Sequence, residues 1–354
     1  MIAMLFSAVT KKTLSAVVAC ILIISAAFAA AAYFACRDKY YSAKTVNTDN
    51  GKEEKKFIKW VDFSIPCAVM EKALNADINS QKSEFKINWI EVLSYLAARY
   101  GGNFKSYKKS DFEGVVQRLS NGEKMSDIAK DLKLYGYYAE AYEAVLGGFV
   151  GDYKVMAEEE GRMVWKDKYG LKVFSPIARG YSFSHCRDFG NGRSFGFRRK
   201  HLGNDLMGSV GTPVIAIESG TIEVMGWNIY GGWRVGIRSF DKKRYYYYAH
   251  LRKDHPFNKN LAEGSIVKAG DVIGYLGMTG YSRRENVNNI NVPHLHLGLQ
   301  LIFDESQKDG INQIWIDVYE IVEFLRKNKS AVAKNPNDKD FHRIYDIHDP
   351  AVPD

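Results

Sequence analysis

Thiol chemistry is nearly absent from this chain. Its 354 residues include four cysteines, and two of them, Cys20 and Cys36, fall within or at the end of one apolar run. Cys67 and Cys186 remain, at a spacing that matches no paired-thiol zinc or redox motif. Two cysteines make no disulfide framework, and no bridge between them is expected. Any bound metal must then be held by histidine and carboxylate. Helix-turn-helix spacing, zinc-finger spacing and the aromatic signature of RNA-binding domains are also missing. No nucleic acid partner is therefore expected, although the formal net charge is +8. That basic excess is left to an anionic membrane or an anionic polymer. A His-Glu-X-X-His sequence, which would place a glutamate base beside a helical histidine pair, is not apparent either. With 46% hydrophobic and 25% charged residues, wholesale disorder is excluded as well.

What is present begins with Thr13–Cys36, 24 residues without a charge. At about 1.5 Å per residue such a helix crosses a hydrocarbon core of about 30 Å. The run is longer than the roughly 7–15 apolar residues of a secretory signal. Residues 13–36 are thus expected to be a single-pass transmembrane signal anchor after a short cytoplasmic segment, 1–12. The alternative is a cleaved, secreted form cut near the small residues Ala26–Ala32. Lys11 and Lys12 on one side, and Arg37, Lys39 and Lys44 on the other, nearly balance the positive-inside rule. Residues 37–57 read as a polar linker.

The remainder reads as multidomain α+β. Pro66 can open a helix, and Asn88 with Glu91 caps an apolar stripe that Gly101-Gly102 ends. Glu91 lies beside Trp89 but is read as a capping residue, not as a catalytic acid. Ser110 and Glu113 repeat the capping pattern, and helical character continues to Gly147-Gly148. Residues 58–150 are therefore expected to be a small all-helical domain, a spacer or docking module whose protein partner is unknown. After about residue 170 glycines recur, and short β-branched or aromatic runs such as Pro213–Ile217 and Arg234–Arg238 alternate with turns. An antiparallel β domain over 178–305 is expected. Ile314, Val318, Ile321, Val322 and Leu325 then suggest a closing helix over 306–328, followed by a polar, loosely ordered tail over 329–354.

Six of the eight histidines fall between residues 185 and 296. In Pro293-His294-Leu295-His296-Leu297-Gly298-Leu299-Gln300 the period of two puts both histidines on one strand face and the leucines on the other. That suits a metal ligand beside a proton-handling group. His201-Leu202-Gly203-Asn204-Asp205 carries a second pair of ligand types, with Gly203 permitting a turn between them. Tyr248-Ala249-His250 ends a tyrosine-rich strand. His185, His255, His342 and His348 lie outside these contexts and are read as structural or surface residues.

Taken together these elements resemble the lysostaphin-like zinc endopeptidases, the LytM type of peptidase family M23. The resemblance runs from about Phe195 to Leu301, through Gly211-Thr-Pro-Val214, Tyr248-Ala-His-Leu251, Gly264–Gly274, Gly277-Met-Thr-Gly280 and His294-Leu-His296. It implies one zinc ion per chain held by His201, Asp205 and His296, with His250 and His294 as catalytic histidines. Three protein ligands leave a fourth position for water, whose pKa then falls toward about 7. His294 would take up and return the proton and His250 would stabilise the tetrahedral intermediate, or the two would exchange roles. The implied substrate is bacterial peptidoglycan, cut in a stem peptide or a cross-bridge by an extracytoplasmic, membrane-anchored enzyme. A catalytically silent scaffold of the same fold is the alternative. Residues 178–305 carry 17 lysines and arginines against 11 aspartates and glutamates, which suits an anionic wall. Two departures stand out: the stretch Tyr281–Pro293 is longer than usual for the family, and Leu297 replaces a common phenylalanine. The segment Ser184–Asp188 lies shortly before the first ligand but is not expected to plug the site.

Overall fold

A computed structural model describes residues 57–310 and 312–353. The expected cytoplasmic segment, the anchor at 13–36 and nearly all of the 37–57 linker lie outside the described residues. Among the described residues no helix is long and apolar enough to cross a membrane.

Five helices come first: α1 (Cys67–Ser80), α2 (Trp89–Tyr100), α3 (Lys109–Ser120), α4 (Met125–Ile128) and α5 (Tyr135–Leu146). Pro66 sits at the cap of α1. The Asn88 side chain accepts the Ile90 and Glu91 amides at 2.8 and 3.2 Å, and Gly101 ends α2 at φ 58°. Ser110 does not cap α3. That helix starts one residue earlier, at Lys109, where Lys109 pairs with Glu113 at 3.0 Å across one turn.

At Val150 the chain enters a long hairpin, β1 (Val150–Glu159) and β2 (Arg162–Leu171), with Glu160 and Gly161 both at positive φ in the turn. The main sheet is antiparallel and runs β11 (Ile266–Val267), β8 (Gly220–Asn228), β9 (Gly232–Ser239), β10 (Arg244–Ala249), β13 (His294–Leu301), β6 (Asn204–Met207), β3 (Ser184–His185). Beside it β4 (Gly192–Phe195) pairs β5 (Phe197–Lys200), and β7 (Pro213–Ile215) pairs β12 (Val272–Tyr275). The period-two reading of the histidine strand is realised in β13. Leu295, Leu297 and Leu299 are buried and join Tyr246, Tyr248 and Ile237 in one apolar cluster that also contains Leu93, Tyr142 and Val145 of the helices. From Ile58 onward helices and sheet thus share a core, and the opposite sheet face is left for chemistry.

The C-terminal expectations need correcting. Ile314 belongs to a strand, β14 (Ile314–Ile316), paired to β13, because the apolar residues there alternate across a sheet edge. The helix is only α6 (Tyr319–Leu325). The tail is not loose: β15 (Val332–Lys334) pairs β16 (Phe341–Arg343), and β17 (Ile347–His348) pairs β1 with Ile347 buried.

Candidate metal centre

Asp205 and His296 face each other as cross-strand partners on β6 and β13, and His201 lies just ahead of β6. Gly203 matters through space, not through φ: a Cβ there would lie 2.5 Å from the Leu297 carbonyl oxygen and 2.7 Å from the His296 ring. Only glycine lets this turn pass so close to β13. The result is a tight cluster in which His201 Nε2 is 2.8 Å from His296 Nδ1 and 3.1 Å from Asp205 Oδ1. His296 Nδ1 is 3.2 Å from the same oxygen. His201, Asp205 and His296 each turn one ligand atom to a common point, all within 4.8 Å of one another. Two imidazole nitrogens and one carboxylate oxygen form a donor set suited to a divalent cation of borderline softness.

His250 and His294 stand beside this cluster. Their rings are 4.8 Å apart, and His250 is 5.8 Å from the His296 ring. His250 has φ 62°, uncommon for a side chain of this size, and its amide donates to the Gly231 carbonyl at 2.8 Å. Its Nδ1 lies 2.9 Å from the Thr279 carbonyl oxygen, while His294 Nδ1 lies 2.8 Å from that of Val292. Both rings therefore donate from Nδ1 to backbone and keep Nε2 for other partners. Burial, reinforced by His294 and His296, holds His250 well below the ordinary histidine range. Burial also lowers His296. For His201 burial acts in the same direction but is outweighed by the Asp188 and Asp205 carboxylates, which push it up to about 9. Asp205 is held low despite its burial by hydrogen bonds from His201 and His296.

Asp188 is the functional residue that sequence reasoning missed. Its Oδ2 lies 3.2 Å from His201 Nδ1, and its Oδ1 accepts the Asp205 amide at 3.2 Å. Arg193 donates to Asp188 at 2.7 Å and to Asp205 at 3.0 Å. Asp188 thus stands behind His201, on the ring nitrogen turned away from the cluster, and orients the imidazole. An acidic residue 13 positions upstream of the histidine carries no periodic signal; only the pairing of β3 with β6 reveals it. Replacing it, Asp188→Ala, is expected to weaken zinc affinity by about 10–100-fold in chelator competition. Unchanged affinity would mean that His201 is oriented without it.

Residues 199–309 match the sequence model of peptidase family M23. The chain carries an M23 peptidase domain. Over 124 residues, 35% of this chain and 36% of the relative, it is 40% identical to the L-Ala–D-Glu endopeptidase of Bacillus subtilis. Over 97 residues, 27% of this chain and 18% of the relative, it is 41% identical to lysostaphin of Staphylococcus staphylolyticus. Among solved structures, the catalytic domain of lysostaphin from Staphylococcus simulans is 30% identical, with 40% of this chain and 92% of that one covered at a TM-score of 0.32. The chain therefore spans about a third of the length of the Bacillus relative and less of lysostaphin.

In the M23 domain the long stretch Tyr281–Pro293 forms part of one wall. Tyr281 lies 5.8 Å from the His250 ring, and the Arg199 guanidinium covers Tyr281 and Tyr230 at 5.1 and 4.6 Å. On the other side a groove of about 410 Å³ leaves His296 along the sheet, between Tyr247, Gln300 and Trp315. Of the remaining histidines, His185 stacks on Tyr319 and His255 on Tyr275, both away from the centre.

Proposed function

We propose that this chain is a zinc endopeptidase that hydrolyses peptide bonds in bacterial peptidoglycan. The observation that carries the reading is the convergence of His201, Asp205 and His296 on one point, with the Nε2 atoms of two further histidines kept free of backbone bonds beside it. The three residues would hold the ion, and the donor set fits zinc. Zinc bound there supplies Lewis acidity, polarising a carbonyl oxygen and easing the deprotonation of water. The chain's own groups do the rest. His294, whose Nε2 lies 3.7 Å from Asp205 Oδ1, would accept the proton of the attacking water and return it to the departing amine. Burial, with His294 and His296 nearby, disfavours protonation of His250. It would donate to the developing oxyanion from Nε2 as an imidazolium, which the negative charge of that oxyanion would favour. The reverse division of these roles uses the same atoms. Asp188 and Arg193 fix His201 and Asp205 so that neither must reorganise during the reaction.

Membrane attachment through residues 13–36, with the M23 domain extracytoplasmic, belongs to the same proposal and rests on the uncharged length of that run. So do the 37–57 linker, a helical module over 58–150 with an unidentified partner, and a peptidase domain over 178–305. The basic surface of the latter suits an anionic wall.

The test uses purified full-length protein, loaded with zinc and incubated with peptidoglycan. New amino termini are expected from the unaltered chain. The His294→Ala protein is expected to hold zinc and to lose about 10²–10⁴-fold in rate. Equal inactivity of both zinc-loaded proteins would instead make the domain a wall-binding scaffold.

A further inference from the structure

The groove beside His296 contains a cation that the catalytic scheme does not use. On the open sheet face Ala249 pairs with His296, which pairs with Asp205. The β9–β10 ladder runs from Tyr245 opposite Arg238 to Tyr248 opposite Val235, so Arg234 comes next, alongside Ala249. Asp205, His296, Ala249 and Arg234 thus form one row across four strands. Adjacent strands lie about 4.8 Å apart, which puts the Arg234 backbone about 10 Å from that of His296. Ala249 stands between them in the row, flanked by the Tyr247 ring, which lies 5.8 Å from that of His296.

Arg234 is half-buried in the groove wall, and its Nε is fully buried without a hydrogen-bond partner. Among the described residues it forms no ion pair. Its neighbours differ in having carboxylate partners, although Nη1 of Arg238 is likewise buried without a hydrogen bond. Arg238, on the same face, is met by Glu305 at 2.7 Å and Glu223 at 3.8 Å. Lys308, farther out in the groove, is met by Glu223 at 2.9 Å. Asp309 also lines the groove but makes no ion pair with Arg234. The Arg234 Nε is closed off from the groove, so a substrate carboxylate would be met by the Nη donors, which no carboxylate among the described residues neutralises. Glycines let aromatic side chains lie flat along the groove floor: the Tyr245 ring covers Gly236, and a Cβ on Gly298 would lie 2.7 Å from Trp315.

We propose that Arg234 is a specificity residue that binds a free carboxylate of the substrate within about three residues of the scissile bond. The separation of about 10 Å is between backbones, and the long arginine side chain covers much of it, so a carboxylate about one residue (about 3.3–3.6 Å) from the scissile bond comes within its reach. This deepens the endopeptidase reading and rests on it. It selects acidic stem peptide, in which a γ-linked glutamyl residue keeps its α-carboxylate, over a glycine cross-bridge, which has no carboxylate to offer.

The test compares two C-terminally amidated peptides that differ in one group: L-Ala–γ-D-Glu–L-Lys amide with a free glutamyl α-carboxylate (the acid), and the same peptide with a carboxamide there (the amide). Pentaglycine amide, which carries no carboxylate, is the third substrate. For the zinc-loaded full chain kcat/KM is expected to favour the acid over the amide by about 10–100-fold, the range of a hydrogen bond to a charged group. Pentaglycine is expected to be cleaved no better than the amide. In Arg234→Gln the acid-to-amide ratio is expected to fall to about one. A wild-type ratio near one, or a ratio unchanged by Arg234→Gln, overturns the assignment. Calorimetric binding of the acid and amide peptides to both proteins separates the two readings. Acid-selective binding without cleavage removes the endopeptidase reading and keeps Arg234; unselective binding removes Arg234 whatever is cleaved.

Discussion

Full-length protein carrying His296→Ala is expected to purify without stoichiometric zinc and to release no amino termini from peptidoglycan. His296 Nδ1 lies 2.8 Å from His201 Nε2 and 3.2 Å from Asp205 Oδ1, so it supplies one of only three ligand atoms. Without it the cluster retains one nitrogen and one carboxylate, one short of the three protein ligands that hold a catalytic zinc ion. Loss of Lewis-acid polarisation removes several kcal/mol of transition-state stabilisation, which is about 10³-fold in rate or more. Metal analysis and amino-terminus release report on the two losses separately. The His294→Ala protein is the informative companion, since it is expected to lose rate and keep zinc. Stoichiometric zinc in His296→Ala would mean that the ligand set is wrong.

The site was more legible in the sequence than the frame that carries it. Strict alternation from His294 to Gln300 sorts residues to two faces whatever the tertiary context, and the structure buries the leucines while His294 and His296 share the opposite face. Gly203 was legible as a constraint but not in kind, because close approach to β13 depends on a strand 90 positions away. Asp188 and Arg193 reach His201 through the fold alone, and nothing in their local sequence marks them. The β1–β2 hairpin escaped notice because its strands are mostly half-exposed and charged, with no apolar run to signal them. The expected long closing helix failed for the converse reason. Ile314 fits a helical stripe only when Val318 and Ile321 are counted with it, while Ile314 and Ile316 fit a strand, and pairing to β13 decided between the two periods. In the tail a single buried residue, Ile347, was enough to fasten a strand to β1.

Arg244→Met is expected to cost about 3–5 kcal/mol of stability, read as a lowered denaturation midpoint in urea. Arg244 is 1% exposed at the start of β10, the strand that ends immediately before His250. Its Nε and Nη2 donate to the two Glu218 carboxylate oxygens at 2.8 and 3.0 Å, and Nη2 also reaches Asp241 at 2.7 Å. Nη1 donates to the Ala144 carbonyl at 2.8 Å, near the end of α5. One guanidinium therefore ties the helices to the sheet. Glu218, itself buried, has only the Tyr246 hydroxyl at 2.7 Å once Arg244 is gone. The large cost follows from that stranded carboxylate and not from the pair's own attraction, which desolvation largely offsets. The two origins separate in a second variant. Combining Arg244→Met with Glu218→Gln removes the stranded charge but keeps an acceptor for Tyr246, and is expected to recover more than half of the loss. A single change costing less than about 1 kcal/mol, or a double change no more stable than the single one, would place the junction's stability in the surrounding apolar contacts instead. Either way the folded fraction of both variants is expected to hold zinc, because the ligands sit on β13, β6 and the turn before it, and not on β10.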